Sequence, residues 1–196
     1  EFGGVRRARI SSQCIKRAIR TAPIFSQITG VDTAIRTRWV ARLIREELIQ
    51  SGVDEEQANR VALTFAEAYA GKSEKAGHTS VLLYLSREEI ARFSGQLLDQ
   101  WEAVTSGDDK QVKGALDSII KDLIKETKGR TSAPDIALFG RMLAERPDLN
   151  LDAACQVAHA ISTHRVSMDM DFFTAVDDLQ LAAEPGAGMM GYTGFN

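Results

Sequence analysis

From residue 32 to residue 128, apolar side chains recur at helical spacing through four successive segments, and this run constrains the fold most. Asp32 opens the first, with Ile35, Trp39, Leu43 and Ile44 on one stripe and Gly52 past its end. Asp54 opens the second, with Ala58, Val61, Ala62, Phe65 and Tyr69 facing inward and Gly71 closing it. Ser86 followed by Glu89 is a capping box that launches the third through Ile90, Phe93, Leu97 and Trp101. The fourth covers residues 109–128 through Val112, Leu116, Ile119, Ile120 and Leu123. Between the second and third, "TSVLLYL" (79–85) is too short and too β-rich for a helix and reads as a buried strand. Trp39, Phe65, Phe93 and Trp101 share the helical spacing of their apolar neighbours and belong to the core. The fold class is therefore mainly α with a few β-strands.

Outside that run the pattern shortens. "TSGDD" and "KGRTSAP" are linkers by composition. After Pro134, "DIALFGRMLAERPDLN" and "LDAACQVAHAISTHRV" read as a short helix running into a strand. The Gly- and Ala-rich "AAEPGAGMMGYTGFN" reads as mobile. Both ends look cut, so the expectation is a piece of a longer protein. With 196 residues, 44% of them hydrophobic, the chain can bury a real core. No apolar run approaches a bilayer span, and no apolar stretch follows the basic start as a signal peptide requires. Cys14 and Cys155 have no CxxC spacing and read as reduced thiols of a cytoplasmic protein, with neither disulfide nor metal role.

Charge is unevenly placed. Residues 1–50 hold ten Lys/Arg against four Asp/Glu, whereas the rest holds fourteen against twenty-three. Such asymmetry points to a polyanion partner for the first segment. Within it, "FGGVRRARISSQCIKRAIR" (2–20) has six basic residues and no acid. Ser12 can cap a helix running to about Ala22, where Pro23 stops it. On that helix Ile15, Ala18, Ile19 and Ala22 form an apolar stripe, and Gln13, Lys16, Arg17 and Arg20 form a polar one. The helix start at Ser12 and Gln13 adds backbone N–H groups and a partial positive charge. Upstream, "RRARI" alternates as a strand would, with Arg7 and Arg9 on one face, and Phe2-Gly3-Gly4 supplies a bend. An ordinary amphipathic helix with a basic solvent face is the alternative, and the residues alone leave both open.

Three segments carry a family resemblance. "FGGVRRARISSQCIKRAIR", "DIALFGRM" (135–142) and "AHAISTHRVSMDMDFFTAVDDLQ" (158–180) resemble, in family order, signatures of the type I-E CRISPR Cascade backbone subunit, the CasC family. The resemblance covers the whole chain and about half of a usual member. It implies a helical finger domain (31–157) between pieces of an RRM-like (ferredoxin-like) palm. The piece at 1–30 carries the basic helix, and the piece at 158–196 carries a palm strand and the start of a thumb. It implies that copies polymerise along a CRISPR guide RNA with other Cascade subunits and support recognition of target DNA, without catalysis, cofactor, metal or membrane. Carried over residue by residue, Arg9, Ser12, Gln13, Lys16, Arg17 and Arg20 would hold guide-RNA phosphates. Met142 at the finger and Phe173 at the thumb would pack against bases, which suits a sequence-tolerant binder. Many members have a basic residue where this chain has Val5, a departure that puts one phosphate contact in doubt.

Two other readings compete. Asp169, Asp171, Asp177 and Asp178, with His164 nearby, raise a metal-dependent ribonuclease. Adjacent Asp177 and Asp178 face different directions, however, and caps or solvated turns account for them more simply. His159 and His164 lie five apart, on opposite faces of a strand, a poor metal pair; a core or hydrogen-bonded role fits each histidine better. The other competitor is a helical nucleic-acid-binding regulator, which needs a helix–turn–helix, whereas "PIFSQITGVD" after the basic helix reads as a loop.

Overall fold

The structure, a computed structural model, describes residues 2–70, 73–74, 77–143, 147–175 and 187–195. In chain order these form β1 (Arg9–Ile10), α1 (Ser12–Thr21), α2 (Pro23–Thr29), β2 (Ile35–Thr37), α3 (Val40–Gln50) and α4 (Glu55–Ala70). Then come β3 (Ser73–Glu74), β4 (His78–Thr79), β5 (Leu83–Leu85), α5 (Arg87–Asp99), α6 (Trp101–Thr105), α7 (Asp109–Thr127) and α8 (Pro134–Phe139). A 3-10 turn (Pro147–Leu149), β6 (Ala160–Ile161), β7 (Ser167–Ala175) and β8 (Ala187–Phe195) complete the described elements. The protein is mainly helical, and among the described residues the strands pair as two-stranded antiparallel sheets: β1 with β6, β2 with β5, β3 with β4 and β7 with β8. The chain divides into two compact units, one of Asp32–Ala154 and one of Glu1–Val31 with Cys155–Asn196.

The core of the 32–154 unit lies among α3, α4, α5 and α7. Val40, Ile44 and Leu48 of α3, Ala58, Val61 and Phe65 of α4, Leu97 of α5, and Leu116, Ile119 and Leu123 of α7 are all buried. Phe65, Tyr69 and Phe93 form an aromatic triangle with ring centroids 4.9–5.7 Å apart. Those separations match the offset and tilted geometries that aromatic quadrupoles favour. The stripes of the second, third and fourth helical segments are thus buried at every position but Trp101 and Val112. Trp39 and Trp101 are only half-buried, and Trp39 meets His78 edge-on at 3.8 Å. At the start of α5 the Ser86 Oγ accepts from Glu89 N–H at 3.0 Å while Glu89 Oε2 accepts from Ser86 N–H at 2.8 Å, the capping box read from the sequence. Next to it, the Ser132 hydroxyl and the Arg92 guanidinium hold the Glu88 carboxyl below its usual range.

Several sequence expectations need correction. Asp32 opens no helix: Ile35–Thr37 pairs with Leu83–Leu85 instead, and α3 starts only at Val40. "TSVLLYL" is not one strand, because Thr79 pairs with Ser73 and Leu83–Leu85 with β2. "PIFSQITGVD" holds a helix. Pro23 ends α1 but occupies the first turn of α2, where its missing N–H is harmless, and Gly30 at φ 66° closes α2. The helix through Trp101 is broken at Gln100 into α5 and α6. The segment after Asn150 forms no helix before β6. Within the Gly-rich end, where no strand is expected, Ala187–Phe195 pairs residue for residue with β7, from Ala187 opposite Ala175 to Phe195 opposite Ser167. Gly71, Asp177 and Asp178 lie outside the described residues.

Candidate nucleic-acid interface

The N-terminal segment folds back before it reaches the helix. Gly3 (φ 65°) and Gly4 (φ 74°) both take the left-handed region, as a two-residue hairpin turn with positive φ at both central positions requires. Phe2 N–H then donates to Val5 O at 3.0 Å. Arg7 fixes this turn to the distant 162–163 backbone. Its Nε donates to Phe2 O at 2.9 Å, and Nη1 donates to Ser162 O at 3.1 Å and Thr163 O at 2.7 Å. Arg7 is therefore structural, while Arg6 and Arg9 on either side of it are the exposed cations of "RRARI". Arg9 itself sits in β1, paired with Ile161.

Helix α1 begins one residue earlier than its sequence suggests. Ser11 is the N-cap, its Oγ accepting from Cys14 N–H at 3.2 Å. Ser12 is the first helical residue, and its N–H donates to Nδ1 of His159 at 2.8 Å. Two of the N–H groups at this helix start thus have partners within the chain. The polar stripe divides by exposure: Gln13 and Arg17 are exposed, Ser12 and Lys16 half-buried, and Arg20 buried at 8% exposure. Arg9, Gln13 and Arg17 are the exposed members of the track, with Ser12 and Lys16 beside them. On the opposite stripe, Cys14, Ile15, Ala18 and Ile19 line an open apolar groove of about 630 Å³ with Ile24 and Ile28 of α2. Cys14 and Cys155 are both free thiols.

The two base-packing candidates lie in different units. Met142 belongs to the 32–154 unit and is 83% exposed. It follows α8, whose C-cap Gly140 adopts φ 76° and ψ 166°, a combination essentially confined to glycine. A Cβ there would meet Leu151 O at 2.9 Å and Ala153 N at 3.0 Å. Asp135 at the start of α8 is fully buried. Its carboxylate accepts from Ala34 N–H at 2.9 Å and from the Tyr84 hydroxyl at 2.5 Å. Phe173 lies in β7 of the other unit, opposite Met189.

Sequence reasoning missed the contacts that hold these segments. His159 is one: its spacing from His164 leaves a core and a hydrogen-bonded role equally open, and its exposed ring secures the start of α1. The others are Arg7 and the buried Arg141–Glu89 ion pair at 2.7 Å. No periodicity signals any of them. His164 is exposed, its backbone O accepting from the Ser162 hydroxyl at 2.8 Å. Asp169 and Asp171 lie in β7, opposite Thr193 and Gly191. Among the described residues no cluster of three or more His, Cys, Asp or Glu is placed to hold a metal ion, and no helix is long and apolar enough to cross a membrane.

Comparison with known proteins supplies the family. One solved chain, titled "CRISPR RNA-guided surveillance complex, pre-nicking", is 30% identical over 98% of this chain and 53% of its own length, with a TM-score of 0.65. Another, titled "CRISPR RNA-guided surveillance complex", is 29% identical over 83% of this chain and 50% of its own, with a TM-score of 0.64. The chain thus spans about half the length of these solved relatives. Among curated proteins none matches. The model of the CT1975-like protein family matches residues 1–196, in keeping with the resemblance its three signature segments carry, and the chain belongs to that family.

Proposed function

We propose that this protein is a non-catalytic, guide-RNA-binding backbone subunit of a cytoplasmic CRISPR surveillance complex. Copies line up along the RNA with other Cascade subunits and support recognition of complementary target DNA, with residues 31–157 serving as the helical finger and residues 1–30 and 158–196 as parts of an RRM-like palm and thumb. The observation that carries the reading is the exposed track of Arg9, Gln13 and Arg17, flanked by Ser12 and Lys16. It lies in a chain whose similar solved chains come from RNA-guided surveillance complexes. Cationic and amide donors spaced along one helix face suit a phosphate backbone, which carries no sequence information. Arg20 is drawn inward and is not part of the exposed track.

The regulator reading loses the argument from a loop, since α2 follows α1 directly. Only Ala22 separates the two helices, however, short of the three- to four-residue turn of a helix–turn–helix. Moreover α2 presents Ile24 and Ile28, 57% and 78% exposed, where a groove reader needs base-edge donors.

The test is binding of labelled single-stranded RNA of several unrelated sequences, followed by incubation with Mg²⁺ or Mn²⁺. Similar affinity for all sequences and intact RNA are expected. Metal-dependent cleavage that disappears in Asp169→Ala or Asp171→Ala would establish the ribonuclease instead.

A further inference from the structure

Burial alternates sharply around Met142: Arg141 is 4% exposed, Met142 83% and Leu143 5%. Along an extended segment successive side chains point to opposite sides, so anchoring 141 and 143 inward turns 142 outward. Both neighbours are anchored. Arg141 and Leu151 exchange backbone hydrogen bonds, each 2.9 Å, and Leu143 N–H donates to Asn150 Oδ1 at 2.6 Å. The Arg141 guanidinium runs inward, Nη1 lying 2.7 Å from Glu89 Oε1 and donating to Tyr84 O at 3.1 Å, while Nε donates to Leu149 O at 3.0 Å. The side chains of this ion pair are 1% and 6% exposed. The other oxygen of Glu89 closes the capping box of α5, so one carboxylate ties the Met142 segment to a helix start.

Desolvation offsets much of the attraction within a buried ion pair, so stability alone is a weak reason for one. Geometry is the better reason. The backbone on either side of Met142 cannot turn the thioether inward without breaking the Arg141 network or the Asn150 contact. We infer that Arg141, Glu89 and Asn150 are positioning residues that hold Met142 outward to pack against a nucleobase. This rests on the reading of the protein as an RNA-guided scaffold, in which Met142 is one of the base contacts.

The test uses the full chain labelled with ¹⁵N and reads the order parameter of the Met142 backbone amide. Asn150 is exposed, so Asn150→Ala removes the acceptor of Leu143 without opening the core, and Asn150→Asp keeps an acceptor oxygen. The order parameter should be about 0.85 in the wild type and in Asn150→Asp, and below about 0.6 in Asn150→Ala and Glu89→Gln. An Asn150→Ala value equal to that of the wild type overturns the inference, whether or not Glu89→Gln folds. A second arm measures binding of labelled single-stranded RNA through a double-mutant cycle. Asn150→Ala and Met142→Ala should weaken binding by the same factor, and the double variant by no more than either. Additive losses would place the effect of Asn150 elsewhere and also overturn the inference. Unchanged affinity in Met142→Ala, with the amide response intact, removes the base-packing reading and leaves the positioning of the segment established.

Discussion

The backbone N–H of Ser12 donates to Nδ1 of His159 at 2.8 Å, joining residues 147 positions apart. The first N–H groups of a helix have no partner inside it, and this one is satisfied from the third signature segment, residues 158–180. An imidazole nitrogen that accepts carries no proton, so the ring of His159 keeps its N–H at Nε2. Beside it, β1 pairs with β6, and Ala8 N–H donates to Ser162 Oγ at 2.9 Å. The basic helix is thus held by the segment around residues 159–162.

His159→Ala should therefore loosen the start of α1. The loss of one neutral hydrogen bond costs about 0.5–1.5 kcal/mol. Amide hydrogen exchange at Ser12 should quicken markedly while exchange in α4 and α7 stays as it was. Equal protection of Ser12 in the variant and the wild type would show that His159 carries none of the anchoring.

The RNA track makes a prediction about salt. Lys16→Ala with Arg17→Ala should weaken RNA binding similarly for all sequences. It should also flatten the slope of log affinity against log salt by about 0.7 for each lost single-strand contact. Arg20 is left out because its side chain is buried and its removal would disturb the fold as well. An unchanged slope would return this stripe to an ordinary solvated helix face.

What the sequence disclosed and what it hid divide by range. The Ser86–Glu89 box and the stripes of Phe65, Phe93 and Leu116 are set by neighbours three or four positions away, so their pattern is visible along the chain. Asp32 misled because a cap-like residue followed by Ile35 and Trp39 imitates a helix start. What decides that segment is pairing of Ile35 with Leu85, fifty positions on. Pro23 misled in another way, since a helix breaker for α1 is also a helix starter for α2. At the interface, the polar stripe of α1 was legible from its spacing, but the burial of Arg20 was not. The contacts of Asp135 with Ala34 and of Arg141 with Glu89 span 101 and 52 positions and follow no local rule.

Gly140→Ala should destabilise the protein although it adds only a methyl group. A residue held at φ 76° and ψ 166° costs about 1–3 kcal/mol when it is not glycine. The new Cβ would also sit 2.9 Å from Leu151 O, a backbone atom that cannot swing aside. Thermal melting should show a clear drop. Gly95→Ala is the control, because its helical position has open space around it and alanine favours helix. If both variants melt alike, the strain assigned to Gly140 is absent.

Phe173 offers the sharpest choice between a binding and a packing role. It lies in β7 opposite Met189, in a run, "DFFTA", that by composition alone would read as core. A base-packing Phe173 contributes through stacking, worth about 1–3 kcal/mol per base. Phe173→Ala should then weaken RNA binding by roughly tenfold, the lower half of that range, while the melting temperature of the RNA-free protein stays within a degree or two of the wild type. A buried Phe173 predicts the reverse, since truncation of a core phenylalanine costs about 3–5 kcal/mol of folding stability. Phe65→Ala provides the internal standard for that cost, because Phe65 is 0% exposed and packs against Tyr69 and Phe93. Should Phe173→Ala melt as early as Phe65→Ala, the thumb contact is a core residue and the base-packing role of β7 is lost.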